Sequence, residues 1–180
     1  MPNNRLKEQA DQLINTYSLQ KWNVVPTGSF YLDLMVCPDL DVYFESVKIR
    51  DLFIMAEEFY QNDLTDGVYV MKGYKINLPE GEHIQIRTNL KYNSVNWKID
   101  IWFFPQHIIN EKQTELNKFL KKLNHKNRDE IIKIKTSLIQ KTGFTPKMSS
   151  YHIYEAFLDH GLTEISQIKE YLLSKNVVLG

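Results

Sequence analysis

Residues 27–45 read TGSFYLDLMVCPDLDVYFE. The last seven of them, from Asp39 to Glu45, alternate polar and apolar. Leu40, Val42 and Phe44 fall on one face of a strand, while Asp39, Asp41 and Tyr43 fall on the other. Two carboxylates therefore stand side by side near the start of a strand. Pro38 breaks what precedes it, so residues 30–36 are expected as a short helix. Thr27-Gly28-Ser29 reads as a turn after a short apolar strand over residues 22–26.

A second stretch answers the first. Residues 95–104, VNWKIDIWFF, favour β-structure strongly and hold one acidic residue, Asp100, between Ile99 and Ile101. A carboxylate in such a run must leave the sheet toward something polar, because burying an unpaired charge is costly. Arg87 or Lys98 could serve as a salt-bridge partner; a shared site with Asp39 and Asp41 is the other outlet.

The chemistry of these groups points one way. Carboxylates at i and i+2 on a strand repel each other at short range. A divalent cation relieves that repulsion, and oxygen ligands suit magnesium, or manganese in its place. Asp100 on a neighbouring strand would complete a two-metal arrangement, one ion activating a hydroxyl and the other holding a triphosphate. Gly28 lets backbone approach a phosphate closely, and the Ser29 hydroxyl adds a donor.

A Gly-Ser turn, a spacer, an acidic-apolar-acidic strand start and a later acid between apolar strand residues resemble the DNA polymerase β nucleotidyltransferase superfamily. The resemblance spans roughly residues 22–104. It implies an α+β fold, a small mixed β-sheet with helices on one side. It implies transfer of a nucleoside monophosphate from a nucleoside triphosphate to a hydroxyl. By position, Gly28 and Ser29 would grip the triphosphate, Asp39 and Asp41 would bind both metals, and Asp100 would bind the catalytic metal and help deprotonate the acceptor. Many members carry a second glycine and a small residue before the acidic pair, where this chain has Asp33, Cys37 and Pro38.

Outward from these blocks, residues 4–20 and 50–60 have helical periodicity. Residues 68–76 and 82–92 read as strands joined by a turn at residues 78–81. After Pro105 the character changes. Residues 107–124, 127–142, 148–160 and 164–174 each fit a helix, with Gly143 and Gly161 at helix ends and a cap around Thr163, Glu164 and Ser166. Two domains are thus expected: a catalytic one over residues 1–105 and a C-terminal helical bundle over residues 106–180.

Composition narrows the function. The 180 residues carry 22 basic and 22 acidic side chains, a formal net charge of zero. Proteins that wrap long nucleic acids usually carry a basic excess, so a small-molecule or protein acceptor is favoured over long nucleic acid. The segment 111–141 is locally basic, with nine Lys and Arg against four Asp and Glu. A solvated helix face is the plain reading; one or two lysines reaching a triphosphate is the sharper one. One cysteine, Cys37, excludes an internal disulfide or a multi-cysteine zinc site. The five histidines lack metal-ligand spacing. With no apolar run of about 20 residues and no signal-like start, a cytoplasmic protein without a membrane partner is expected. The competing reading is a non-catalytic member of the same fold, a nucleotide-binding or antitoxin-like interaction module.

Overall fold

The computed structural model describes residues 2–45, 48–72, 84–142 and 149–177. Helix α1 (Pro2–Thr16) is followed by a 3-10 turn (Leu19–Trp22), strand β1 (Val25–Pro26), helix α2 (Gly28–Tyr31), strand β2 (Asp39–Glu45) and helix α3 (Ile49–Tyr60). Strands β3 (Thr65–Lys72), β4 (Ile84–Tyr92) and β5 (Val95–Phe104) come next, then helices α4 (Gln106–Lys122), α5 (His125–Thr142), α6 (Ser149–Leu158) and α7 (Ile165–Ser174).

The five strands form one mixed sheet in the order β1-β2-β5-β4-β3. β2 runs parallel to β5, and the other neighbours are antiparallel. The inward face follows the alternation of the sequence. Leu40, Val42 and Phe44 of β2 join Trp97, Ile99, Ile101 and Phe103 of β5 in a buried cluster. Ala10 and Leu13 of α1 and Leu52, Met55, Ala56 and Phe59 of α3 complete it, so both helices cover this one face. The opposite face carries the polar residues of β2 and β5. The first turn of α4 approaches it, where Ile108, Ile109 and Phe104 pack with Tyr43 and Trp102.

A second core lies among the C-terminal helices. Leu116 and Phe119 of α4, Ile131, Ile134 and Leu138 of α5, Ile153 and Tyr154 of α6, and Ile168 and Leu172 of α7 are buried together. Leu32 and Leu34, just after α2, belong to this core as well. The loop that leads into the acidic strand is thus held by the helical half of the chain.

Several boundaries differ from those expected. The first helix ends at Thr16 rather than residue 20, because Ser18 and Asn23 take left-handed backbone and wind residues 19–22 into a 3-10 turn. Trp22 therefore lies outside any strand, donating its indole N–H to Glu58 at 3.1 Å. The helix expected over residues 30–36 is one turn long and starts earlier, at Gly28, because Asp33 adopts φ 58 and reverses the chain. Asp33 thus holds a left-handed backbone without being glycine; aspartate tolerates that conformation better than most side chains. Strand β3 begins at Thr65, before the expected residue 68, and carries a bulge at Gly67. The turn at residues 78–81, His83 and Gly143 lie outside the described residues. Glu164 itself caps α7, in a capping box with Gln167. No helix among the described residues is long and apolar enough to cross a membrane.

Candidate active site

The parallel register of β2 and β5 builds the site. Asp39 lies opposite Lys98, Asp41 opposite Asp100, and Tyr43 opposite Trp102. All six side chains belong to the face turned away from α1 and α3. The three carboxylates meet: one oxygen from each of Asp39, Asp41 and Asp100 lies within 4.8 Å of the others. Among the described residues this is the one cluster of three or more acidic, histidine or cysteine side chains close enough to hold a metal ion. The described histidines join no such group.

The electrostatics follow from that crowding. Burial, and then the charges of Asp39 and Asp100, push the Asp41 carboxyl up to about 7. Lys98 and a hydrogen bond donated by the Trp102 indole act in the opposite direction without prevailing. Asp100 is 3% exposed, held inside the sheet beside the ammonium of Lys98. Lys98 Nζ stands 2.9 Å from Asp39 Oδ2 and 3.1 Å from Asp100 Oδ2. Burial alone would lower the Lys98 pKa, but Asp39 and Asp100 outweigh it and raise it. Tyr43 is pushed up to about 12, chiefly by burial, and hydrogen-bonds the Thr27 side chain. It remains a neutral phenol at any ordinary pH.

Gly28 adjoins the carboxylates. It has φ 57, and a Cβ added there would lie 3.3 Å from Asp41 Oδ2. A left-handed backbone and close approach to a carboxylate both favour glycine at this position. The Thr27 N–H donates to the Asp41 carbonyl at 3.2 Å and ties the turn to the strand.

Ser29 opens onto a different set of groups. Its hydroxyl is 2.7 Å from Lys135 Nζ and 2.9 Å from the Tyr154 hydroxyl. Lys135, on α5, is 3% exposed. Its ammonium donates to Ser29 Oγ, to the Leu34 carbonyl at 2.7 Å and to the Tyr154 hydroxyl at 2.9 Å. The three acceptors are neutral oxygens, so among the described residues the positive charge is hydrogen-bonded without a carboxylate partner. A buried ammonium held this way beside a Gly-Ser turn attracts an anion. Arg128, two turns earlier on α5, donates to the Leu32 carbonyl. One helix face therefore grips both ends of the residue 32–34 segment.

The donor set fits the ion suggested by the sequence. Three hard carboxylate oxygens converge, and magnesium or manganese is bound by one or two carboxylates together with substrate phosphate. Asp39, Asp41 and Asp100 are together, with Gly28 against Asp41. Ser29 turns toward the helical half. Sequence reasoning left open which lysine of segment 111–141 would matter. The signal was present: Ile131, Ile134, Lys135 and Leu138 recur at helical spacing, which places one lysine on an otherwise apolar face. The sequence reading offers Lys98 only as a salt-bridge partner of Asp100 and gives Trp102 no role. Both share Asp100's face at i−2 and i+2.

No family model matches the chain. No curated protein matches it in sequence. Two solved structures do match in fold. One is the polymerase core of TRAMP, an RNA surveillance complex: TM-score 0.54, 13% identity, covering 96% of this chain and 58% of that one. The other is the GLD-2/RNP-8 complex: TM-score 0.55, 14% identity, covering 98% of this chain and 58% of that one. The chain thus spans somewhat more than half the length of each.

Proposed function

From the polymerase β-type nucleotidyltransferase fold that this chain adopts, we propose that it is a metal-dependent nucleotidyltransferase. It moves a nucleoside monophosphate from a nucleoside triphosphate to an acceptor hydroxyl. The observation that carries this reading is the meeting of Asp39, Asp41 and Asp100 beside Gly28 and Ser29, with buried Lys135 behind the serine.

Asp39, Asp41 and Asp100 would hold magnesium or manganese, which when bound supplies Lewis-acid stabilisation of the triphosphate and of the attacking oxygen. Asp39 and Asp41 are the pair shared between the acceptor and the triphosphate sides. Asp100 sits across the ladder from Asp41 and receives the proton of the acceptor hydroxyl as its oxygen bonds to the α-phosphorus. The bond from that phosphorus to the bridging oxygen breaks, and pyrophosphate leaves. Ser29 would meet the triphosphate oxygens, with Lys135 donating to its hydroxyl from behind, and Gly28 would keep the backbone close to them. Trp102 holds the Asp41 carboxylate in place through its N–H. Residues 1–105 would be the catalytic domain and residues 106–180 the helical one, although Lys135 comes to the site from the latter.

Fold likeness to the polymerase core of an RNA surveillance complex makes an RNA 3′-hydroxyl the first acceptor to test, ahead of the small-molecule and protein acceptors favoured by neutral charge. The protein is incubated with an RNA oligonucleotide, each triphosphate, and magnesium or manganese. Oligonucleotide extension and pyrophosphate release are followed. Asp41→Ala and Asp39→Ala should lose roughly 10²–10³-fold or more of the rate. Undiminished activity in either variant would falsify the assignment. The pairing of Lys98 with two of the three acids favours a second reading, a nucleotide-binding module without turnover. Binding of triphosphate with no product from any acceptor class would support it.

A further inference from the structure

Lys98 has an unusual position for a strand lysine. It stands directly across the parallel ladder from Asp39 and two residues before Asp100, so alternation puts its side chain among the acids. Its ammonium is 2.9 Å from Asp39 Oδ2 and 3.1 Å from Asp100 Oδ2, one carboxylate from each strand. Asp41, the third acid, is instead held by the Trp102 indole. The lysine therefore sits at the oxygens that an ion bridging β2 to β5 would use. A magnesium–oxygen bond is about 2.0–2.1 Å long, and two cations sharing the same oxygens repel strongly in a partly buried site. The Lys98 side chain is 34% exposed, so its flexible stem has a path to solvent.

We propose that Lys98 is a resident cation of this triad, bridging Asp39 and Asp100 in the metal-free protein and leaving them when a divalent ion binds. This rests on the metal-dependent reading above and adds a control on metal affinity that the three acids alone would not have. Lys98 acts here as a positioning residue. A lysine that merely stabilised the fold would not weaken metal binding. One that competes with the ion for the same oxygens does.

The test uses the full chain as wild type, Lys98→Met, Lys98→Gln and Lys98→Arg. Manganese binding is read from the electron paramagnetic resonance signal of the free ion, and thermal melting is recorded with and without manganese. Lys98→Met and Lys98→Gln should bind manganese roughly tenfold or more tightly than wild type. Their metal-free melting temperatures should fall below wild type, and manganese should restore them. Lys98→Arg should resemble wild type. If the methionine variant does not fold without metal, the glutamine variant carries the comparison. Manganese affinity that is unchanged or weaker in the neutral variants, with wild type binding the ion, overturns the Lys98 proposal and leaves the metal-dependent reading standing. If neither wild type nor the neutral variants bind manganese, both fall.

Discussion

Asp41 combines two constraints on one side chain. Its carboxyl is raised to about 7 by burial and by Asp39 and Asp100, whereas an unfolded aspartate titrates near 4. Between those values the folded state holds the proton more tightly than the unfolded one, so this group makes metal-free stability decline as pH rises from about 4 to about 7. Metal binding must expel that proton. Manganese affinity is therefore expected to rise between pH 6 and pH 8, with up to about one proton released per binding event. Calorimetry in two buffers of different ionisation enthalpy measures it, and a pH-independent affinity would refute it. Gly28 gives a second prediction. Gly28→Ala combines a left-handed φ with a Cβ 3.3 Å from Asp41 Oδ2. It should cost roughly 1–2 kcal/mol in urea unfolding and weaken metal-dependent triphosphate binding. Asp39, Asp41 and Asp100 were legible because strand alternation fixes which neighbours share a face. Lys135 was hidden because it is one of nine basic residues in its segment. Its partner Ser29 is 106 positions away, a distance at which local pattern is silent.

At the scale of elements, α5 delivers charge to a loop it never adjoins in sequence. Lys135→Met keeps most of the buried volume but leaves Ser29, the Leu34 carbonyl and Tyr154 without their shared donor. It should lower triphosphate affinity by roughly 10–100-fold, in line with the loss of a charge-assisted hydrogen bond. Thermal stability would change less, because a buried charge is also removed. Nucleotide titration alongside thermal melting separates the two effects; unchanged nucleotide affinity would exclude Lys135 from the site. Long helices and the two diagnostic strands were readable from periodicity. The short connectors were not, because the left-handed backbones of Ser18, Asn23 and Asp33 reflect tertiary demands rather than local preference. Ser18 and Asn23 turn the chain so that Trp22 can pack edge-on against Phe44, with ring centroids 5.7 Å apart.

For the whole molecule, two cores share one segment. Leu40 is buried between the sheet and α1, and Ile168 is buried among the C-terminal helices. Leu32 and Leu34 belong to the helical core although they lead straight into the acidic strand. Leu40→Ala and Ile168→Ala should each cost about 2–5 kcal/mol. Both variants should still unfold in a single urea transition by fluorescence and circular dichroism; two separated transitions would show that the halves fold independently. The change in periodicity suggests a division after residue 105, whereas this stitching has no local signal, since the contacts span about a hundred residues. The parallel pairing of β2 and β5 has a consequence for how the site is specified. All three acids and their two close companions are written in two short blocks, residues 39–41 and 98–102, placed in step by the ladder. What lies between them covers and flanks the same two strands, through α3 and β4. The meeting of the three acids is therefore a property of one register, and a slip of a single residue between these two strands would turn one set of them to the opposite face.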